Sequence, residues 1–164
     1  MEHISKYFNA EKNESYLFIL IGILAVGIGA YFLFKNTNTF YKVIAYPIIL
    51  IALIQITVGT TIVLRTSADI KNAEQYHIDK GKINEIEIPR MKKVMDSFSL
   101  YKKIEIALII IGIAMFVFFR NKELLRGIGL GLLLQSSIML TLDLFAEARG
   151  KKYIEELKSY SQLK

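Results

Sequence analysis

The sequence predicts an all-α integral membrane fold: four transmembrane helices in a bundle, with the second, third and fourth helices extended beyond the membrane into a helical stalk. Three observations predict it. Of 164 residues, 53% are hydrophobic, more than a soluble domain of this size can hide. These residues are gathered into four blocks, each close to the roughly 20 residues that a helix needs to cross about 30 Å of hydrocarbon. Amphipathic stripes then continue past three of the blocks.

The blocks fall at about 16–34, 43–64, 100–119 and 124–146. The first two are nearly free of charge and are bounded by it, at Glu14 and Lys35 and at Lys42 and Arg65. The third and fourth each carry a carboxylate near one end, Glu105 and Asp143. Short polar turns, Lys35–Lys42 and Arg120–Glu123, make the first and second spans antiparallel neighbours, and likewise the third and fourth. The whole chain, 1–164, reads as one membrane domain.

Between the second and third spans, 65–99 reads as a polar helical hairpin. Its first arm continues the second span, with Ala68, Ala73 and Tyr76 on the apolar side. Gly81 is permissive and Pro89 lacks an N–H, so the helix should break between them, with Pro89 in the first turn of a new helix. The alternation Glu85-Ile86-Glu87-Ile88 suggests an extended piece docked against the stalk. Met91, Val94, Met95, Phe98 and Tyr101 then follow helical spacing. The segment 147–164 reads as a C-terminal amphipathic helix, with Tyr153, Ile154, Leu157 and Tyr160 on one face.

Lysine and arginine place the ends. Sixteen of the 21 lie on the side that holds the N-terminus, the hairpin and the tail, and five lie in the two turns or, for Arg126, just after the second. The positive-inside rule therefore puts both termini and the 65–99 hairpin in the cytoplasm. Abundant Lys, Ile and Asn suggest an AT-rich bacterial genome, hence a bacterial inner membrane. The net charge of +6 is explained by juxtamembrane cations facing lipid headgroups, which argues against a nucleic-acid partner.

The chain has no cysteine and two histidines. This excludes a thiolate metal site, disulfides and thiol chemistry, and leaves no expected metal or cofactor. No nucleophile, zincin or phosphate-loop motif is present, so no catalytic residue is assigned. Polar groups inside lipid are instead the candidate functional residues. At 100° per residue, Gln135, Ser136, Met139, Asp143 and Glu147 form one stripe of the fourth span. Gln55, Gly59, Ile62, Arg65 and Asp69 form another on the second, and Phe98, Tyr101, Glu105, Gly112 and Phe116 a third. The expectation is a polar seam of Gln55, Arg65, Glu105, Gln135, Ser136, Asp143 and Glu147, with the two glutamines bonded across helices and Arg65 compensating Glu105 or Asp143.

Ala25 with Gly29, and Gly127 with Gly131, are small-xxx-small pairs that let helices approach closely. Arg90, Lys92 and Lys93 are expected to touch headgroups or a partner, or else to balance Glu85 and Glu87. A faint repeat relates Phe34-Lys35-Asn36 to Phe119-Arg120-Asn121, and a displacement of 80 carries Gln55 onto Gln135. The function these features suggest is non-enzymatic: helix–helix contact as a homo-oligomer or with a membrane-embedded partner, as an immunity or accessory protein would make, with lipids around it. A small channel or transporter using the seam, and an enzyme acting on a lipid or quinone headgroup, are the alternatives.

Overall fold

The computed structural model describes residues 2–35, 38–78 and 80–162. Four long helices run over α1 (Glu2–Lys35), α2 (Thr39–Ile78), α3 (Ile88–Phe118) and α4 (Glu123–Gln162). The described residues hold no strand. α1 packs along α2, α2 along α4, and α4 along α3. The two hairpins therefore meet through α2 and α4, with α1 and α3 on the flanks.

Three helices, α1, α2 and α4, are long and apolar enough to cross a membrane. α3 falls short of that description because Lys102, Lys103 and Glu105 interrupt it, leaving Ile106–Phe118 uncharged, about 20 Å of helix. Exposed aromatic residues mark two levels: Tyr16, Tyr101 and Phe145 toward the stalk, and Tyr31, Phe34, Tyr41 and Phe118 toward the turns. At 1.5 Å per residue these girdles lie roughly 25 Å apart, the interval expected of side chains at the two faces of a bilayer.

Glycine sets the helix spacing. A Cβ on Gly29 would stand 2.5 Å from Ile49 Cγ1, and one on Gly22 2.7 Å from Ile56 Cγ1. One on Gly112 would stand 2.7 Å from the Gly129 carbonyl oxygen, backbone against backbone. Ala25 is buried against α2 with Ile44, Ile48 and Ala52. Gly127 and Gly131 open α4 to α2, where Gly131 admits the Pro47 ring. The hairpins use one design: 83 residues carry Gly29 onto Gly112, and 84 carry Ala45 onto Gly129 and Ile49 onto Leu133. That register differs from the displacement of 80 that aligns the glutamines, because the glutamines meet each other whereas the glycines sit in equivalent places.

All four helices, rather than three, continue into the stalk. α1 is helical from Glu2, and its Tyr7 and Phe8 lie in the stalk core with Ala73, Ile83, Ile88, Met91, Tyr153, Ile154 and Leu157. Tyr7 stacks on Tyr153 with ring centroids 4.1 Å apart. Ala73 is buried, Tyr76 is half-buried, and Ala68 faces outward, because Thr66, Ile70 and Ala73 form the inner face of α2 instead. Tyr101 and Tyr160, at the ends of their stripes, are also exposed.

The segment before Pro89 is not extended. After the single turn Lys80–Lys82, Ile83–Glu87 forms a π-helix and the Ile88 N–H bonds to the Ile83 carbonyl. Proline cannot donate, and its ring collides with the carbonyl four residues earlier. Widening the preceding turn relieves that collision and keeps the chain helical. It also turns Ile83, Glu87 and Ile88 inward while Glu85 and Ile86 stay exposed, a helical sidedness that breaks the charge–isoleucine alternation expected of an extended piece.

Candidate functional site: a polar seam between the hairpins

α2 is uncharged from Val43 to Leu64, yet Gln55, near its middle, is fully buried. An amide buried in hydrocarbon needs partners for its donors and acceptor. Gln55 Nε2 donates to the Phe18 carbonyl of α1 at 2.7 Å, and Gln55 Oε1 accepts from Gln135 Nε2 of α4 at 2.9 Å. The first bond forms beside Gly22, where the missing side chain lets α1 approach α2. One side chain thus joins three helices and both hairpins. Gln135 is equally buried.

Other hydroxyls in the spans are satisfied within their own helices. Thr57, Thr61, Ser137 and Thr141 each donate to the carbonyl four residues earlier, at 2.7–2.9 Å. Ser136 differs: it is buried and its Oγ has no partner among the described residues.

Toward the stalk the expected charge pairing is replaced by another. Arg65 does not compensate Glu105 or Asp143. It pairs with Glu11 of α1 at 3.4 Å and with Asp69 at 3.4 Å. The physical reason is the helical N-terminal segment, which brings a carboxylate to the level of Arg65. Arg149 pairs with Glu14 and lies over the Tyr7 ring at 5.8 Å. Glu147 takes Lys102 at 2.6 Å and Lys151 at 2.7 Å. The Glu105 and Asp143 carboxyl groups adjoin each other. Glu105 is buried, and neither of its oxygens has a donor among the described residues.

The residues expected at headgroups divide. Lys92 and Lys93 are exposed on the stalk. Arg90 instead turns inward and grips Glu87 with two bonds, Nε to Oε2 at 2.9 Å and Nη2 to Oε1 at 2.7 Å. Tyr153 donates to the same carboxylate at 3.2 Å, and the guanidinium lies over Phe8 at 5.6 Å. Burial alone would lower the Arg90 pKa, but bonding to Glu87 more than offsets it and holds the pKa above its usual range. Arg90 is therefore a stalk fastener.

Sequence reasoning missed the N-terminal partners Glu11 and Glu14. The signal was there: Tyr7, Phe8, Glu11 and Ser15, all now buried, recur at helical spacing ahead of the first apolar block. It missed Arg126 too, which lies inside the fourth block with its guanidinium over Phe116 at 4.9 Å and over Phe40 at 5.5 Å. No cluster of three or more metal-ligating side chains occurs among the described residues. Comparison with protein-family models, curated proteins and solved structures gave no match to this chain.

Proposed function

We propose that the chain is a four-span, non-enzymatic membrane protein that acts through helix–helix contacts in the bilayer, as a homo-oligomer or with a membrane-embedded partner. α3 is the fourth span, with Lys102 and Lys103 at the headgroup level, where long cationic side chains reach water. The stalk and both termini lie in the cytoplasm of a bacterial inner membrane.

The observation that carries this reading is the closed glutamine contact at the middle of the seam. Gln135, Gln55 and the Phe18 carbonyl bond one another across three helices, and glycines bring the backbones on either side into contact. Groups consumed in mutual bonds are fasteners rather than the lining of a hydrated path. A contact face is offered by α1, where Leu20, Ile23, Leu24, Ile28 and Tyr31 are exposed around Gly27. A Cβ on Gly27 would meet nothing within 4 Å. In a helix interior glycine costs about 1 kcal/mol relative to alanine, and no neighbour among the described residues uses the space.

Native mass spectrometry of the detergent-solubilised protein tests the reading. The expected result is an oligomer in the wild type that Gly27→Ile converts largely to monomer without lowering the melting temperature. A monomeric wild type that conducts ions in proteoliposomes, with flux abolished by Gln135→Leu, would replace it with the channel reading.

One observation favours a second reading, proton- or cation-linked transport: the buried Glu105 carboxyl adjoins that of Asp143, with no donor to either Glu105 oxygen among the described residues. Buried carboxyl groups within a membrane are where transporters hold protons. Proteoliposome uptake driven by a pH gradient, and lost in Asp143→Asn, would support it.

A further inference from the structure

We propose that the cleft at the turn-side end of α3 and α4 binds the phosphate group of an anionic membrane lipid, held by Arg126 and Arg120. The reasoning begins with the five arginines. Arg65 pairs with Glu11 and Asp69, Arg90 with Glu87, and Arg149 with Glu14. Arg120 and Arg126 have no carboxylate partner among the described residues.

Arg126 is held in place nonetheless. Its guanidinium lies between the Phe116 ring of α3 and the Phe40 ring of α2, and its Nε is buried without an acceptor. Stacking uses the faces of a guanidinium and leaves its edge N–H groups free to donate. The three helices thus hold a half-buried cation and, among the described residues, supply it no anion.

The anion has a place to sit. A cleft of about 250 Å³ is lined by Phe116, Val117, Arg120 and Arg126. A second, of about 260 Å³, adjoins it along Val117–Lys122. Lys35, Lys42, Arg120, Lys122 and Arg126 face a single carboxylate, Glu123, on this side of the sequence. Planar guanidinium forks match phosphate oxygens, and basic pockets at helix ends suit phospholipid headgroups. Exposed Phe118 and Val117 lie on the same helix end, where acyl chains leave a headgroup at the level of the outer aromatic girdle. Apolar walls beside a cationic edge fit an amphiphile better than a free ion, so the lipid is the source assigned. This inference needs the membrane placement and is independent of any oligomer.

The test titrates full-length protein in detergent micelles with phosphatidylglycerol, phosphatidylcholine or inorganic phosphate, and counts bound lipid by native mass spectrometry. Phosphatidylglycerol should be retained about tenfold more tightly than phosphatidylcholine, the scale of a charge-assisted contact. Arg126→Gln should remove that preference and Arg120→Gln should weaken it severalfold. The stalk double variant Lys92→Gln, Lys93→Gln should keep it. If Arg126→Gln does not fold, Arg126→Lys, which keeps the charge and loses the fork, should lower retention severalfold. Equal retention of the two lipids, or undiminished retention in both Arg126→Lys and Arg120→Gln, would overturn the site. Displacement of phosphatidylglycerol by millimolar inorganic phosphate would overturn the lipid as its occupant.

Discussion

Gln55 and Gln135 have the same side chain at similar depth, yet they are not equivalent, because Gln55 makes two interhelical bonds and Gln135 one. Gln135→Leu should cost only about 0.6–2 kcal/mol, since Gln55 keeps its bond to Phe18. Gln55→Leu should cost more, because it removes two interhelical bonds rather than one. Equal losses in melts of the two variants would show that Gln55 is not the hub. A similar contrast applies to the stalk, where Glu87 is buried under Arg90 and Tyr153. Arg90→Leu leaves that carboxylate without a cation and should destabilise the fold by about 3–5 kcal/mol. Adding Glu87→Leu should recover much of the loss. A double-mutant cycle without coupling would remove the pair.

Among the elements, the interface of α3 and α4 leaves little room for a side chain. Gly112 and Gly129 place each other's carbonyl oxygens 2.7 Å from where a Cβ would stand. Backbone cannot turn aside as a side chain can, so Gly112→Ala must push the helices apart, at about 1–3 kcal/mol. Gly150→Ala, which meets the flexible Met95 thioether at 3.0 Å and the Met91 methyl at 3.8 Å, should be close to neutral. A thermal melt in which both variants behave alike would contradict this geometry. The π-helix shows the same dependence on one residue. Pro89→Ala restores a donor and removes the ring, so Ile83–Glu87 should tighten toward α-helix. Amide exchange should then slow at Ile88.

At the scale of the molecule, the two hairpins run in parallel around α2 and α4, and α1 and α3 flank them. This arrangement predicts the sidedness of single-cysteine labelling. Cysteines at Asn38 and Asn121 should react from one side of the membrane and cysteine at Lys92 from the other. If α3 does not cross, Asn38 and Asn121 will label from opposite sides. The arginine pairings follow the same layout: the three arginines on the stalk side meet carboxylates, and the two toward the turns face a surface almost without them.

The sequence by itself determined the helical class, the apolar blocks, the amphipathic stripes and which polar residues lie at depth. These depend on periodicity and on the solvation of single side chains, both of which are local. It also pointed to Gln55 and Gln135, because an amide far from water must find another polar group. Only the tertiary structure decided which groups meet. Arg65 found Glu11 rather than Asp143 because α1 stays helical back to Glu2, and so carries a carboxylate to its level. The stretch before Pro89 became a π-helix rather than an extended piece, with Ile83 and Ile88 in the stalk core and Glu87 under Arg90 and Tyr153. Hydrophobic pattern specifies which face is buried, but partner choice depends on the relative height and rotation of helices far apart in the chain. Those are set by close contacts such as Gly112 on Gly129 and Gly131 on Pro47, which no single segment encodes.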